Sequence, residues 1–149
     1  MQILSDYDYT LTKEIFPDGR EGDSSFRCIQ ESSITTKEVR DICRKLYDTY
    51  APIEVDPNMS KSEKYQHMFA WWDENLRVYA EMALKKEDFA KIILESRLVF
   101  RDGIRELVST TNNLHVPLMI VSGGITEIIE ASLNYIMPDN EIETEAVKA

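Results

Sequence analysis

Apolar positions along this chain follow two rhythms. Short continuous runs stand near the start, at residues 2–6 (QILSD), and again at 116–124 (VPLMIVSGG). Their length, and the polar or glycine residues that close them, predict buried strands. Elsewhere the spacing is helical. Thr35 and Glu38 form a capping-box pattern ahead of the stripe Val39, Ile42, Cys43, Leu46, Tyr47 and Tyr50. The two prolines of APIEVDPN break that stripe, and Ser60 with Glu63 opens the next helix. Its main stripe is Tyr65, Met68, Phe69, Trp72, Leu76 and Tyr79, with Trp72 expected to hold the core of the helical part. Further helices are predicted over 86–96, with Phe89, Ile92 and Ile93 inward, and over 102–112, with Ile104, Leu107 and Val108. ITEIIEASLNYI is the helix after the second strand. Residues 12–34 carry Pro17, Gly19 and Gly22 among polar neighbours and read as hairpin and loop. The acidic tail PDNEIETEAVKA reads as a short strand or a frayed end.

The order is strand, long helical insertion, helix, strand, helix, which is an α/β core divided by a helical module. If the two strands are parallel, their polar ends at Asp6 and Ser122 share the carboxyl edge, where open α/β sheets bind ligands.

Composition narrows the function. The chain has 149 residues, 43% of them hydrophobic, enough for an ordinary core. Its net charge of −10 repels nucleic-acid backbones, so no nucleic acid is expected as a partner. No segment approaches the roughly 20 apolar residues of a membrane span, and no signal peptide opens the chain, so no membrane partner is expected either. Cys28 and Cys43 are too few for a disulfide framework and form no zinc pattern with His67 and His115. A reduced, cytoplasmic setting follows.

The chemistry begins at SDYDYT. An aspartate at a strand end, followed two residues later by a second, is the arrangement for phosphoryl transfer through a carboxylate. Asp6 would attack phosphorus, and Asp8 would protonate the leaving oxygen and then deprotonate water. Two close carboxylates repel, so Mg²⁺ is expected with them. The plainer reading is that Asp and Ser mark the turn leaving the strand. Ser122 offers a hydroxyl at a helix start, suited to an anion or simply to capping that helix.

Asp6-Tyr7-Asp8-Tyr9-Thr10-Leu11-Thr12 resembles the first motif of the haloacid dehalogenase superfamily, and Val121-Ser122-Gly123-Gly124 resembles its second. PIEVDPNMSKSEKYQHMFAWWDEN resembles the cap of the cytosolic pyrimidine 5′-nucleotidases. The resemblance implies an α/β, haloacid-dehalogenase-like parallel-sheet core with an inserted helical cap. Residues 1–30 would be the first part of the core, 31–97 the cap, and 98–149 the second part. The implied activity is Mg²⁺-dependent hydrolysis of nucleoside 5′-monophosphates, pyrimidine nucleotides such as CMP and UMP foremost, through an aspartyl-phosphate. Asp6 is then nucleophile and metal ligand, Asp8 is general acid/base and a metal ligand through its backbone carbonyl, and Ser122 and Gly123 bind phosphate. Glu54 corresponds to the cap carboxylate that reads the base. Asn75 stands where relatives usually carry a substrate-contacting serine. Trp71, one turn from Asn75, either faces the nucleotide with Asn75 and Val78 or is a packing contact.

The family pattern next uses a lysine and an acidic loop that completes the metal site, and neither is assigned after Ser122. Glu141, Glu143 and Glu145 lack the strand-plus-Asp pattern. The chain therefore reads as the N-terminal part of a nucleotidase, with self-association expected through an incomplete core. The alternative is a truncated, non-catalytic relative that binds nucleotide or a partner chain.

Overall fold

The computed structural model describes residues 1–136, so the expectations for the acidic tail and its three glutamates lie outside the described residues. The chain forms two compact units. One comprises Met1–Ser32 with the described residues from Lys86 onward, and the other is Ser33–Lys85.

The first unit is built on strands β1 (Ile3–Ser5) and β2 (Leu118–Ile120), which pair in parallel with Ile3 opposite Leu118 and Ser5 opposite Ile120. Both strands therefore end at the same edge, and the Val121 N–H donates to the Ser5 carbonyl at 2.9 Å just beyond the pairing. Alternation splits the strands: Ile3, Leu118 and Ile120 are half-buried, whereas the paired Leu4 and Met119 are exposed. Helices α1 (Ser25–Glu31), α4 (Lys86–Glu95), α5 (Ile104–Asn113) and α6 (Thr126–Ile136) complete this unit, with α4 packed on both α1 and α6. The core joins Tyr7, Leu11, Val108, Ile129 and Leu133, with Phe100, Ile104, Leu118 and Ile120 against it.

Tyr7, the residue between the two aspartates, is fully buried. Its ring meets Phe100 edge-on at 5.9 Å, and its hydroxyl bonds Ser132 Oγ. Tyr7 thus points inward between an exposed Asp6 and a half-buried Asp8.

Two expectations change in this unit. Residues 12–34 do hold a hairpin, where Ile15 pairs with Glu21 and Gly19 takes φ 81° in the turn, but they also hold α1. Ser24 caps α1 by accepting from the Arg27 N–H, and burial of Cys28 and Ile29 fixes it. The second change is α4. Its apolar Ile92 and Ile93 are buried in the α/β unit, so the helical unit ends at residue 85 rather than 97.

The second unit pairs α2 (Lys37–Val55) with α3 (Lys61–Glu81). Thr36, not Thr35, caps α2, and Thr35 is buried. The helix also runs through Pro52 into the stretch expected to break it, so Glu54 is helical. Ser60 and Glu63 form the full capping box of α3. The inner face of α3 differs from the expected stripe. Tyr65, Phe69, Trp72 and Leu76 are exposed, while Asn75 and Tyr79 are buried. Trp71 lies 6.0 Å from the rings of both Tyr47 and Tyr50 on α2. Trp71 thus joins the two helices, and Trp72 stacks on it at 6.0 Å.

Candidate active site

The parallel pairing sets Asp6 directly after β1 and Ser122 two residues after β2. Asp6 is exposed, and Thr10 Oγ donates to its Oδ2 at 3.1 Å. Asp8 is half-buried and gripped by both oxygens: the Ser25 N–H donates to Oδ1 at 2.8 Å and the Ser25 hydroxyl to Oδ2 at 2.7 Å. Desolvation raises the Asp8 pKa above the ordinary carboxylate value, the Asp6 charge adds to the rise, and the Ser25 bonds oppose it. The protonated form needed by a general acid is thereby favoured.

The second loop closes on the same point. Ser122 Oγ accepts from the Gly124 N–H at 3.0 Å, so its own hydrogen remains available to an anion. A methyl placed on Gly124 would stand 2.5 Å from Ser25 Oγ and 3.1 Å from both Asp8 Oδ2 and Ser122 Oγ. Three polar side chains from separate stretches of sequence therefore converge at one glycine. Gly123 has open space around its α-carbon, with no heavy atom within 4 Å of an added methyl.

The loop after Asp8 is held from outside. Tyr9 takes φ 61°, a left-handed conformation costly for a bulky residue. Arg101 donates to the Tyr9 carbonyl at 2.7 Å and to the Thr10 carbonyl at 3.1 Å, and the Tyr9 N–H donates to Thr12 Oγ at 2.9 Å. These bonds hold the turn closed.

The oxygen donors fit Mg²⁺ as a partial set. The Asp6 carboxylate is exposed at the strand edge, and Mg²⁺ is commonly bound by one or two carboxylates plus substrate phosphate. Among the described residues no cluster of three or more His, Cys, Asp or Glu side chains suited to a metal exists.

The structure thus brings together Asp6, Asp8, Ser122 and Gly123 of the expected set. Glu54, expected to read the base, and Asn75 and Trp71, the candidate substrate contacts, belong to the helical unit. Glu54 is exposed on the last turn of α2, and its carbonyl accepts from Lys64 Nζ at 2.7 Å. Asn75 is buried, and its amide donates to the Trp71 carbonyl at 2.9 Å, a bond within its own helix. Trp71 serves the α2–α3 packing, the second of the two roles open to it from sequence. Ser25, Gly124 and Arg101 were not expected at the site. Ser24-Ser25 ahead of Phe26 and Ile29 was a helix-start signal for the first, whereas Arg101 lies 91 residues from Thr10 with no local mark.

A parallel strand pair with two carboxylates at one strand end and a Ser-Gly-Gly turn at the other defines an α/β protein with a polar site at its carboxyl edge. Residues 9–142 match the family described as pyrimidine 5′-nucleotidase (UMPH-1), and the chain belongs to that family. It is 32% identical over 130 residues to the human 7-methylguanosine phosphate-specific 5′-nucleotidase, covering 87% of this chain and 43% of the relative. The Drosophila melanogaster protein of that name is 31% identical over 125 residues, covering 84% and 39%. The chain spans less than half the length of these curated relatives. The crystal structure of cytosolic 5′-nucleotidase IIIB bound to cytidine matches with a TM-score of 0.80 at 28% identity, over 95% of this chain and 47% of that one. No helix among the described residues is long and apolar enough to cross a membrane.

Proposed function

We propose that this chain carries the nucleophile and acid/base half of a cytosolic phosphatase acting on nucleoside 5′-monophosphates, pyrimidine nucleotides foremost. Its α/β unit is read as part of a haloacid-dehalogenase-like core, and residues 33–85 as the helical cap. One observation carries the reading: Asp8, Ser25 and Ser122 converge on Gly124 at the strand edge where Asp6 stands exposed. The family and the relatives' names support it.

Asp6 attacks phosphorus, and the ester oxygen departs with the proton of the Asp8 carboxyl, leaving an aspartyl-phosphate. Asp8, now ionised, takes a proton from water. The hydroxide so formed attacks phosphorus, releasing inorganic phosphate and restoring Asp6. The Ser122 hydroxyl and the Gly123 N–H bind phosphate oxygens through both steps. The Asp6 carboxylate and the Asp8 backbone carbonyl would hold Mg²⁺, which when bound neutralises phosphate charge. Glu54 is assigned to selection among bases through its likeness to the cap carboxylate of the family. Asn75, whose amide is engaged by its own helix, is a weaker candidate for substrate contact than the sequence implied.

The test is phosphate release by the full-length protein from CMP, UMP and 7-methylguanosine monophosphate, the last because relatives are named for it. Asp6→Asn is nearly isosteric and removes the nucleophile, so turnover should fall at least ~1,000-fold. Wild-type turnover in Asp6→Asn would sink the assignment. Nucleotide binding without any phosphate release by the unsubstituted protein would favour the non-catalytic reading.

A further inference from the structure

We propose that Ser25 is a positioning residue for Asp8: its hydroxyl and backbone N–H together fix the orientation of the Asp8 carboxyl and tie it to the turn after β2. The inference rests on the nucleotidase reading and adds to it a residue from a stretch that is neither of the two sequence motifs.

The geometry is specific. Ser25 is fully buried, and its two donors reach different oxygens of one carboxyl at 2.8 and 2.7 Å. A carboxyl held at both oxygens cannot turn about its last bond. Each oxygen keeps a second lone pair, and the proton of the acid form must ride on one of these. Ser25 thus decides which way that proton faces. Its own oxygen accepts from the Ile125 N–H at 3.2 Å, so the hydroxyl joins the turn before α6 to the loop after β1. A serine that only started a helix would be spent on capping. Here Ser24 performs that task by accepting from the Arg27 N–H at 3.3 Å, which leaves Ser25 free for Asp8. Gly124 completes the arrangement, since any β-carbon there would displace the Ser25 hydroxyl. Orientation of a proton donor contributes strongly to rate because the donor must point at the leaving oxygen when the bond breaks.

The prediction separates orientation from stability through the leaving group. A nucleoside alkoxide needs the proton, whereas p-nitrophenolate leaves almost without it. In the full-length protein, Ser25→Ala should lower kcat/KM for CMP about 10- to 100-fold and kcat/KM for p-nitrophenyl phosphate by no more than about threefold. The reason is that kcat/KM reads only the steps up to departure of the leaving group and not the shared hydrolysis of the aspartyl-phosphate. In an Asp8→Asn background the same change should cost CMP turnover nothing further. Ser25→Cys, which keeps the backbone N–H bond and replaces the hydroxyl with a much weaker donor, should show the same dependence on leaving group and serves if Ser25→Ala folds poorly. Equal losses on both esters, or a full additional loss in the Asp8→Asn background, would overturn the role. If Asp6→Asn is inactive but Ser25→Ala behaves as wild type on CMP, Ser25 alone loses its assignment. If the unsubstituted protein hydrolyses neither ester, the nucleotidase reading fails and takes this role with it.

Discussion

The glycine pair after Ser122 gives a sharp test of the site, because the two positions differ in what a single methyl would meet. At Gly124 an added β-carbon falls 2.5 Å from Ser25 Oγ, closer than packed atoms approach, and 3.1 Å from Asp8 Oδ2 and Ser122 Oγ. At Gly123 it meets nothing within 4 Å. Neither glycine takes a positive φ, so backbone strain does not distinguish them. For Gly124→Ala the Ser25 hydroxyl must turn away, losing its contacts to Asp8 and to the Ile125 N–H. Each such bond contributes about 1–1.5 kcal/mol net, and alanine returns about 0.4–1 kcal/mol through the unfolded chain. The expected loss of stability is about 1–2.6 kcal/mol, with CMP turnover down at least ~10-fold. Gly123→Ala should be neutral or more stable by up to ~1 kcal/mol, yet raise KM several-fold if its N–H meets phosphate. Urea denaturation and phosphate release on both variants decide it. Wild-type stability and turnover in Gly124→Ala, or equal destabilisation by both substitutions, would refute the convergence of these loops.

Two more outcomes follow from the structure. Pro52 stands inside α2 without the N–H that would bond the carbonyl four residues back, so Pro52→Ala should stabilise the Ser33–Lys85 unit by about 2 kcal/mol in urea denaturation. An unchanged midpoint would show that α2 does not continue through Pro52. Asp8 has a folded pKa raised mainly by desolvation, so its contribution to stability is present below the ordinary value of 3.8 and lost as pH rises through the raised value. Asp8→Asn should therefore exceed the wild type in stability at pH 7, with the gap closing below about pH 4 in denaturation series. A gap that widens toward acid pH would reverse the assigned sign.

The edge that carries Asp6 and Ser122 was legible because strand ends are marked twice in this sequence, by the stop of an apolar run and by the polar residues behind it. The full capping box at Ser60 and Glu63 was legible for a similar reason, since both of its bonds lie within four residues. Ser25 was not. Its partners Asp8 and Ile125 lie 17 and 100 residues away, and its neighbours' polar character made the whole stretch read as loop. Residues 86–96 read correctly as a helix, but nothing local in a stripe of Phe89, Ile92 and Ile93 says which unit covers it.

The inner face of α3 shows where periodicity itself runs out. Tyr65, Phe69, Trp72 and Leu76 keep helical spacing, and a count of apolar residues puts them inward. They are nonetheless 70, 63, 41 and 57% exposed. The opposite choice is stable for two physical reasons. First, α2 presents Tyr47 and Tyr50, and Trp71 reaches both rings at 6.0 Å, stacking on Tyr50 at an interplanar angle of 19°. Second, the polar residue on that face is satisfied without water: Asn75, 5% exposed, returns its amide hydrogen to the Trp71 carbonyl four residues back. A buried amide with a partner costs little, while one without would cost several kcal/mol, on the order of 2–7. Read from the sequence as a substrate contact, Asn75 stands outside the stripe, so the expected inner face runs through Trp72 rather than through Asn75, although Tyr79 belongs to both. Helices with large apolar side chains on two faces take their orientation from the rings and bonds of the partner helix, which the spacing along one helix does not contain.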